Sequence, residues 1–244
     1  MPREEAPKKL LTDYPRPSVA VDVAVLTVTD RVLRVLAVEH QRGGVALPGT
    51  FLHEGETLAV AVERALTEKA GLSGIAFRQL LVFDDPTRDD RGWVLSVGHV
   101  AAIAEGLLPV GAVLLPLRDD VVQQPMLFDH AAIVKAAVQD LRDHYGRFLD
   151  PDRLLGEEFT VLSLRQHYEA IFGHVLVKDT FRRHIKDHLE ATGSVERAVI
   201  GKPAALFTRK AHAPLPPSAA AFFLRDGPTS LSLPTDVAGK SVLR

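Results

Sequence analysis

The sequence of 244 residues contains no cysteine, which excludes disulfide bonds and thiolate metal sites. It also lacks any apolar run of the roughly 18 residues that a membrane-spanning helix needs. The opening stretch, MPREEAPKKLLTDYPRP, has no apolar core of the kind found in a signal peptide. These absences predict a cytoplasmic protein with no membrane partner.

The formal net charge of −2 hides an asymmetry along the chain. Residues 1–156 contain 17 Lys+Arg and 22 Asp+Glu, whereas residues 174–210 contain 8 and 4. A basic segment in an otherwise acidic chain indicates a polyanionic partner for that segment.

Hydrophobic patterns predict two units. In the first, strands are expected over residues 19–28, 33–39, 74–83, 93–104 and 113–116, with helices over 57–70 and 129–147. Asp129 is a good N-cap residue for the last of these helices. Intermixed strands and helices predict an α+β domain with a mixed sheet between helices.

Asp150-Pro151 interrupts this pattern, and the second unit starts near Glu157. Helices are expected over 162–172 and 178–191, and β-like segments over 192–200 and 204–209. A helix, a turn, a second helix and a hairpin are the order of a winged helix-turn-helix. Residues 213–244 are rich in Pro, Ala and Ser, and we expect a tail of low order with a candidate docking point at 222–225.

Residues 48–72, PGTFLHEGETLAVAVERALTEKAGL, resemble the Nudix box, which reads G-x5-E-x7-R-E-U-x-E-E-x-G-U with U a bulky apolar residue. The positions that fit are Glu56, Arg64, Leu66, Glu68, Gly71 and Leu72. Thr50 occupies the position where the box has its first glycine, and Ala65 and Lys69 occupy positions where the box has glutamates. The alternative interpretation is an ordinary amphipathic helix with scattered charges.

Positions 65, 68 and 69 share one face of the predicted helix, because they are three and four residues apart. Three carboxylates there would hold Mg²⁺ or Mn²⁺ against a pyrophosphate. Here the face offers a methyl group, the carboxylate of Glu68 and an ammonium. We therefore expect no catalytic residue and no required cofactor, with Glu68 holding Mg²⁺ only weakly. Arg64 retains its pairing with Glu56, which in Nudix proteins is a structural contact.

Basic residues concentrate on the second helix of the predicted winged helix. The candidate DNA contacts are Lys178, Thr180, Arg182, Arg183 and Lys186 on this helix, with Lys202 at the hairpin tip. Phe181, Ile185 and Leu189 recur at helical spacing as its buried stripe. Arginine forks can read guanine edges in the major groove, and lysines can meet phosphates. The alternative is a solvated charged helix on a small packing domain.

Cationic and aromatic residues of the first unit are candidates for binding an effector. Arg88 and Arg91 on one loop can grip a diphosphate, or can neutralise the neighbouring aspartates. Trp93 can stack on an adenine or pack against protein. Lys69 and Arg42 can meet a phosphate directly, or can simply be solvated.

Taken in order, these segments resemble the Nudix-related transcriptional regulators of NAD metabolism, the NrtR family. The segments that carry the resemblance are YPRPSVAVDV (14–23), the degraded box (48–72), DPTRDDRGWVLSVGHV (85–100), LFDHAAIV (127–134), FRRHIKDHLEATG (181–193) and GKPAALF (201–207). The resemblance implies a homodimer that binds operator DNA near NAD-synthesis or pentose-use genes and responds to ADP-ribose or a related nucleotide.

The implied organisation has four parts: an N-terminal arm (1–17), a Nudix-like effector-sensing domain with an α/β/α sandwich (18–150), a winged helix-turn-helix (155–212) and the tail (213–244). The first hypothesis is a transcriptional regulator, expected to be a repressor, whose degraded Nudix domain is a sensor. The second is a Nudix hydrolase that cleaves ADP-ribose to AMP and ribose 5-phosphate, with an accessory C-terminal module. A third is a regulator tuned to a sugar or another nucleotide.

Overall fold

The computed structural model describes residues 9–196, 203–210 and 214–224. The N-terminal part contains strands β1 (Ser18–Thr29), β2 (Val32–Glu39), β3 (Val45–Ala46), β4 (Gly49–Phe51), β5 (Arg78–Phe83), β6 (Val94–Ala102), β7 (Val113–Arg118) and β8 (Val121–Val122), and helices α1 (Leu58–Ala70) and α2 (His130–Arg147). No helix in these ranges is long and apolar enough to cross a membrane.

The N-terminal strands form one mixed sheet in the order β5-β6-β1-β2-β7-β8, with β3 on β2 and β4 on β1. Strand β1 pairs in parallel with β6 and antiparallel with β2 and β4. Strand β1 is therefore central in the sheet. A central strand whose two faces are also covered has a nearly continuous apolar sequence. This explains why β1, SVAVDVAVLTVT, is buried from its third residue onward.

Successive side chains of β1 point to opposite faces of the sheet, and each face is covered by a helix. Val21, Val23 and Val25 pack with residues of α1, whereas Leu26 and Val28 pack with residues of α2. The sheet therefore lies between two helical layers, which confirms the predicted α/β/α sandwich.

Helix α1 has the limits that its terminal residues favour. The Thr57 side chain caps it by accepting from the Val60 N–H. Gly71 ends it in the left-handed region at φ 65°, which glycine adopts without strain. The predicted helix over the degraded box is thus confirmed, and its register places the box residues relative to the sheet.

The C-terminal part contains α3 (Val161–Phe172), α4 (Lys178–Ile185), β9 (Leu189–Glu196), β10 (Ala204–Arg209) and α5 (Pro217–Phe223). Helices α3 and α4 followed by the antiparallel β9–β10 hairpin form the predicted winged helix. The hairpin tip, including Lys202, lies outside the described residues.

Helix α4 is shorter than predicted, and its expected extension to Ala191 was wrong. It ends at Ile185, a 3-10 turn spans Lys186–His188, and Leu189 opens β9. The backbone of Leu189 pairs with Arg209 of β10, a contact that hydrophobic periodicity does not reveal. Leu189 is buried as expected, but it reaches the core from a strand.

The junction between the two parts is a buried hydrogen-bond hub at Asp150, which is only 2% exposed. Its Oδ1 accepts from the Tyr145 hydroxyl at 2.8 Å and from the Leu154 N–H at 2.9 Å. Its Oδ2 accepts from the Arg209 guanidinium of β10. The Asp150-Pro151 break in the sequence pattern therefore marks a junction at which hydrogen bonds and an ion pair connect the two parts.

Helix α5 lies within the segment that we expected to be a tail of low order. Its Phe223 and Ala219 are completely buried, and both belong to the core that contains α2, α3 and α4. For residues 217–223 the expectation was wrong, because two buried side chains supply the apolar contact that orders a short helix. The expected docking point at 222–225 coincides with this contact at residues 222–224, and residue 225 lies outside the described residues.

Candidate functional site

The structural half of the Nudix-like box is intact. Arg64 donates from Nε to Glu56 Oε1 at 2.9 Å and from Nη2 to Oε2 at 2.8 Å. The same guanidinium donates to the Phe51 carbonyl at 2.9 Å. The hydrogen bonds from Arg64 are the main reason that the pKa of Glu56 falls from 4.5 to about 2. The predicted Arg64–Glu56 contact is confirmed, and it ties the loop to α1.

Thr50, which replaces the glycine of the box, takes part in the same network. Its hydroxyl accepts from Arg64 Nη1 at 2.8 Å. The side chain that departs from the pattern is therefore a third partner residue for Arg64, and its hydroxyl is the fourth acceptor atom for the guanidinium.

The metal-binding half of the box has lost two of its carboxylates. On α1, Ala65 is completely buried, whereas Glu68 and Lys69 are exposed. Lys69 lines a cleft of about 220 Å³, and Glu68 does not. No group of three or more His, Asp or Glu side chains arranged for a metal ion occurs among the described residues. The cleft wall contributed by α1 thus carries an ammonium.

The cleft lies between β1, the β3–β4 region, α1 and the loop that precedes β6. Its charged and aromatic lining consists of Asp22, His40, Phe51, Lys69, Arg88, Asp89, Arg91, Phe128 and His130. The structure therefore brings three of the five predicted effector residues, Lys69, Arg88 and Arg91, into one cavity.

The floor of the cleft is a buried charge cluster around Asp22, whose side chain is 9% exposed. Its Oδ2 accepts from the Ser96 hydroxyl at 2.5 Å and lies 3.5 Å from Arg88 Nη2. Burial raises the pKa of Asp22, but hydrogen bonds from His130 and Ser96 and the charge of Arg88 outweigh it, so the pKa is lowered overall. Asp22 is therefore a carboxylate that these partners stabilise.

Arg88 is buried, with a side chain that is 3% exposed, and two carboxylates hold its guanidinium. Besides its contact with Asp22, it donates to Asp129 through Nε at 2.9 Å and Nη2 at 2.6 Å. Asp129 stands at the N-cap position of α2 but makes no side-chain cap bond. The expected capping role was wrong because its carboxylate is engaged by Arg88.

Hydrogen-bond geometry determines the tautomer of His130. The Leu47 N–H donates to Nδ1 at 2.8 Å, so Nδ1 carries no proton. Nε2 therefore carries it and faces Asp22 Oδ1 at 3.4 Å. The backbone also crowds this carboxylate, since a Cβ added to Gly49 would lie 2.0 Å from Oδ1. Only glycine fits at that position.

Arg91 and two aromatic rings form the mouth of the cleft. The guanidinium donates to Asp89 at 2.9 and 2.6 Å, and these hydrogen bonds lower the Asp89 pKa from 3.8 to about 2. Its Cζ lies 5.2 Å from the Phe51 ring centroid and 5.5 Å from that of Phe128. Arg91 is 49% exposed, so it is a cation that a ligand can reach.

Arg42 and Trp93 lie outside this cavity. Arg42 pairs with Asp90 through two contacts of 2.6 Å and lines an adjoining recess of about 330 Å³ that also contacts Arg88 and Phe128. Trp93 is 49% exposed, and its carbonyl accepts from the Ser18 N–H at 3.0 Å. Trp93 does not line the cleft.

Sequence reasoning missed four residues that line the cleft, Asp22, Phe51, Phe128 and His130, and the buried Ser96 that donates to Asp22. One signal was available, because Asp22 is the only charged residue in a strand of twelve residues that is otherwise apolar or small and polar. A charge within a buried strand is rarely retained without a partner.

The candidate DNA surface is helix α4 with its following turn. Phe181 and Ile185 are completely buried, and they orient the helix. The opposite side presents Lys178, Arg182 and Arg183 to solvent, while Thr180 is half-buried and Lys186 lies in the 3-10 turn. Lys178 and Arg182 also flank an apolar groove of about 250 Å³ between α3 and β10.

The turn between α3 and α4 is fixed by a partly buried ion pair. Arg165 donates to Glu169 Oε1 at 2.7 Å and to the Leu176 carbonyl at 3.0 Å. Glu169 in turn accepts from the Leu176 N–H at 2.9 Å. This network connects the end of α3 to the start of α4.

A mixed sheet with a Nudix-like box, joined to a winged helix, defines the class as a Nudix domain fused to a winged-helix module.

Comparison with known proteins supports this class. The model of the NrtR DNA-binding winged helix domain matches residues 152–208. A crystal structure of Shewanella oneidensis NrtR complexed with a 27mer DNA is 30% identical, with a TM-score of 0.67, and the match covers 84% of this chain and 96% of that one. The chain belongs to the NrtR family.

Two curated relatives match different extents of the chain. The ADPR responsive transcriptional repressor NtrR of Acinetobacter baylyi is 27% identical over 208 residues, 80% of this chain and 83% of the relative. The ADP-ribose pyrophosphatase of Methanocaldococcus jannaschii is 34% identical over 125 residues, 50% of this chain and 73% of the relative.

Proposed function

We propose that this protein is a transcriptional repressor of NAD biosynthesis or salvage genes, and that its Nudix-like domain senses ADP-ribose or a related nucleotide. The observation that carries the proposal is the cleft itself, which keeps the Arg64–Glu56 scaffold and presents Lys69 where the box has a glutamate. The name of the Acinetobacter relative, which responds to ADPR, supports the choice of effector.

The cleft is suited to an anion that arrives without a metal ion. Lys69 makes no salt bridge to any residue that the structure describes, and Arg91 is half exposed at the mouth. An ammonium and a planar guanidinium can bind the two phosphates of a diphosphate directly. Arg88 is already satisfied by Asp22 and Asp129. We infer that Lys69 and Arg91 make the first phosphate contacts and that Arg88 shapes the floor.

The winged helix provides the DNA contacts in this proposal. Arg182 and Arg183 are exposed on α4 and face away from the buried Phe181. We infer that they contact base edges, and that Lys178, Thr180, Lys186 and Lys202 contact the backbone. The crystal structure of the Shewanella relative with a 27mer DNA supports this use of the domain.

We propose a homodimer, since two winged helices related by a twofold axis match a pseudo-palindromic operator. Sedimentation analysis should then give a mass near twice 26.6 kDa in the absence of DNA. A monomer at micromolar concentration would contradict this part of the proposal.

A hydrolase is the second candidate, and the similarity to the Methanocaldococcus pyrophosphatase favours it. Against it stand the electrostatics of the cleft, because a divalent cation would have to bind beside Lys69. Glu56 is also occupied by two hydrogen bonds from Arg64. We infer that the protein is not an efficient hydrolase.

One experiment separates the two candidates. Purified protein is incubated with ADP-ribose and Mg²⁺ while AMP release is measured, and binding to DNA upstream of its own gene is measured with and without ADP-ribose. We expect operator binding that ADP-ribose alters, with no AMP release. Turnover on the order of 1–10 per second, which is ordinary for enzymes, would establish the hydrolase instead.

The DNA helix is tested with a matched pair of variants. Replacing Arg182 and Arg183 together by alanine should abolish specific DNA binding and leave ADP-ribose affinity unchanged. Replacing exposed Arg118 and Lys135, which lie on β7 and α2, should change neither. If the first variant binds operator like the parent, α4 is not the recognition helix.

A further inference from the structure

Helix α5 contacts the last turn of α2. The Leu215 N–H, just ahead of α5, donates to the Arg147 carbonyl at 2.7 Å. Gly146 faces Ala220 so closely that a Cβ added to it would lie 3.3 Å from the Ala220 Cβ. The glycine thus allows α5 to approach the backbone of α2.

The other side of α5 contacts the helix-turn-helix. The Phe223 ring centroid lies 4.9 Å from that of Tyr168 on α3 and 6.0 Å from that of Phe181 on α4. His174, in the turn between these helices, lies with Nε2 2.7 Å from the Phe223 carbonyl, and since a carbonyl only accepts, Nε2 is the donor. Phe222 stacks on His184 of α4 at 5.3 Å.

Helix α2 connects this contact to the cleft. Its first residue, His130, lines the cleft, and its N-cap residue, Asp129, is gripped by Arg88. Its last turn contacts α5. A helix of 18 residues spans about 27 Å and behaves as a rigid element. A shift at the cleft end of α2 would therefore reach α5 at the other end.

We propose that α5 is a positioning element that couples the cleft to the recognition helix, by holding the C-terminal end of α2 against Phe181 and His184 of α4. This inference rests on the proposed function and deepens it by naming the route of regulation. The match to the NrtR winged-helix model ends at residue 208, so α5 lies outside the matched segment.

The coupling has a simple physical form. A ligand shifts an equilibrium only by its differential affinity for the two arrangements. A phosphate held by Lys69 and Arg91 next to Arg88 would weaken the Arg88–Asp129 contact and so favour a different position of the first turn of α2. Because Phe223 is completely buried among aromatic rings, α4 follows the end of α2. Without Phe223, α5 would lose its aromatic contacts with Tyr168 and Phe181 and would keep only the Phe222–His184 stacking as an aromatic contact with α4 among the described residues.

The mechanical part is tested without any ligand. The chain has no cysteine, so Gln139→Cys on α2 and Asp187→Cys beyond α4, both exposed, accept spin labels at two chosen sites. We expect a narrow distance distribution in the otherwise unchanged protein and a clearly broader one with Phe223→Ala. Leu224→Ala, the neighbouring apolar residue at 52% exposure, is the matched control and should leave the distribution narrow.

The regulatory part is tested in unlabelled protein by the ratio of operator affinities with and without ADP-ribose. We expect the ratio of the parent, on the order of 5–150-fold for allosteric proteins, to fall below about twofold with Phe223→Ala, while ADP-ribose affinity stays within about twofold. Leu224→Ala should keep the parental ratio. If Phe223→Ala does not fold, His174→Ala, which removes the bond to the Phe223 carbonyl and an exposed contact of 3.3 Å with the Val175 carbonyl, should show a smaller change in the same direction.

The possible outcomes are distinct. An unchanged distance distribution and an unchanged ratio in the Phe223 or His174 variant would overturn the proposal for α5. A parent protein that binds neither operator nor ADP-ribose would overturn the proposed function, and the label distances would still decide whether α5 positions α4.

Discussion

The cleft and helix α4 both present cations, but the two sets differ in how far they are paired. In the cleft, Arg88, Arg91 and the nearby Arg42 each form two-point contacts with aspartates. Of these three, only Arg88 is buried, whereas Arg91 and Arg42 are half exposed. On α4, Arg182 and Arg183 are exposed and make no ion pair within the described residues. A paired, buried cation responds only to a ligand that replaces its partner well. An unpaired surface cation attracts any phosphate and is screened by salt.

This difference suits the two proposed tasks. A sensor has to discriminate one nucleotide from many, and desolvated charges with fixed geometry provide that selectivity. A DNA-binding helix has to meet a duplex quickly and then read it, which long-range attraction favours. The predictions below test how far the pairing of charges separates the two sites.

The largest effect is expected at Asp22. Its replacement by alanine leaves Arg88 and His130 with an incomplete set of partners in a buried cluster, and should lower the free energy of unfolding by about 3 kcal/mol. The measurement is urea unfolding at neutral pH. Asp84→Ala, at an exposed position, is the control and should change the free energy of unfolding by less than about 0.5 kcal/mol. A loss below about 1 kcal/mol for Asp22→Ala would show that the cluster is not a stabilising unit.

The next largest effect is expected for single arginines of α4. Arg182→Ala should weaken operator binding by about 1–3 kcal/mol and relax its specificity, because a base contact is lost. Lys178→Ala should weaken binding to all DNA sequences alike. It should also lower the slope of log binding constant against log salt concentration by about one. Titrations at several salt concentrations distinguish the two. An equal loss of specificity in both variants would contradict the separate roles.

A smaller effect is expected at Lys69. Lys69→Met keeps the apolar stem and removes the charge, so ADP-ribose binding without metal should weaken about tenfold, or about 1.4 kcal/mol. Calorimetric titration measures it. Glu68→Gln on the same helix, outside the cleft lining, should change the affinity less than about twofold. Equal effects of the two variants would remove Lys69 from the binding site.

The smallest effect is expected in the acid stability of the loop. The pKa of Glu56 lies near 2 because of Arg64, below its ordinary value of 4.5. A lowered pKa stabilises the folded state above the unfolded pKa, and this contribution is lost as pH falls from about 4.5 to about 2. Glu56→Gln should therefore flatten the dependence of unfolding free energy on pH in this window. A slope in Glu56→Gln equal to that of the parent would contradict the assignment.

Much of the first unit could be predicted because its signals are local. The box helix has a capping threonine before it and a glycine after it, and the Arg64–Glu56 contact spans only eight residues. The short strands β3, β4 and β8 were not predicted, whereas the five longer strands of the sheet were predicted from runs of β-branched and other apolar residues. These features depend on neighbours in the chain, so pattern and spacing were sufficient to predict them.

Non-local contacts decided where the sequence predictions failed. The end of α4 depends on the pairing of Leu189 with Arg209, twenty residues away. The order of α5 depends on a buried site for Phe223 that three other helices build. Trp93 was selected for its chemistry, but its side chain lies outside the cleft because only folding determines which loop residues converge.

The sequence by itself determined a Nudix-like scaffold with a positive charge in its metal-binding half and a basic helix-turn-helix, since both follow from residue types at short spacings. Only the tertiary structure decided that Asp22, Arg88, Ser96 and His130 form one buried cluster, because they are up to 108 residues apart. It also decided that the arginines of the cleft are already paired. The physical reason is that desolvation and ion pairing depend on which side chains share a low-dielectric space, and the fold creates that space.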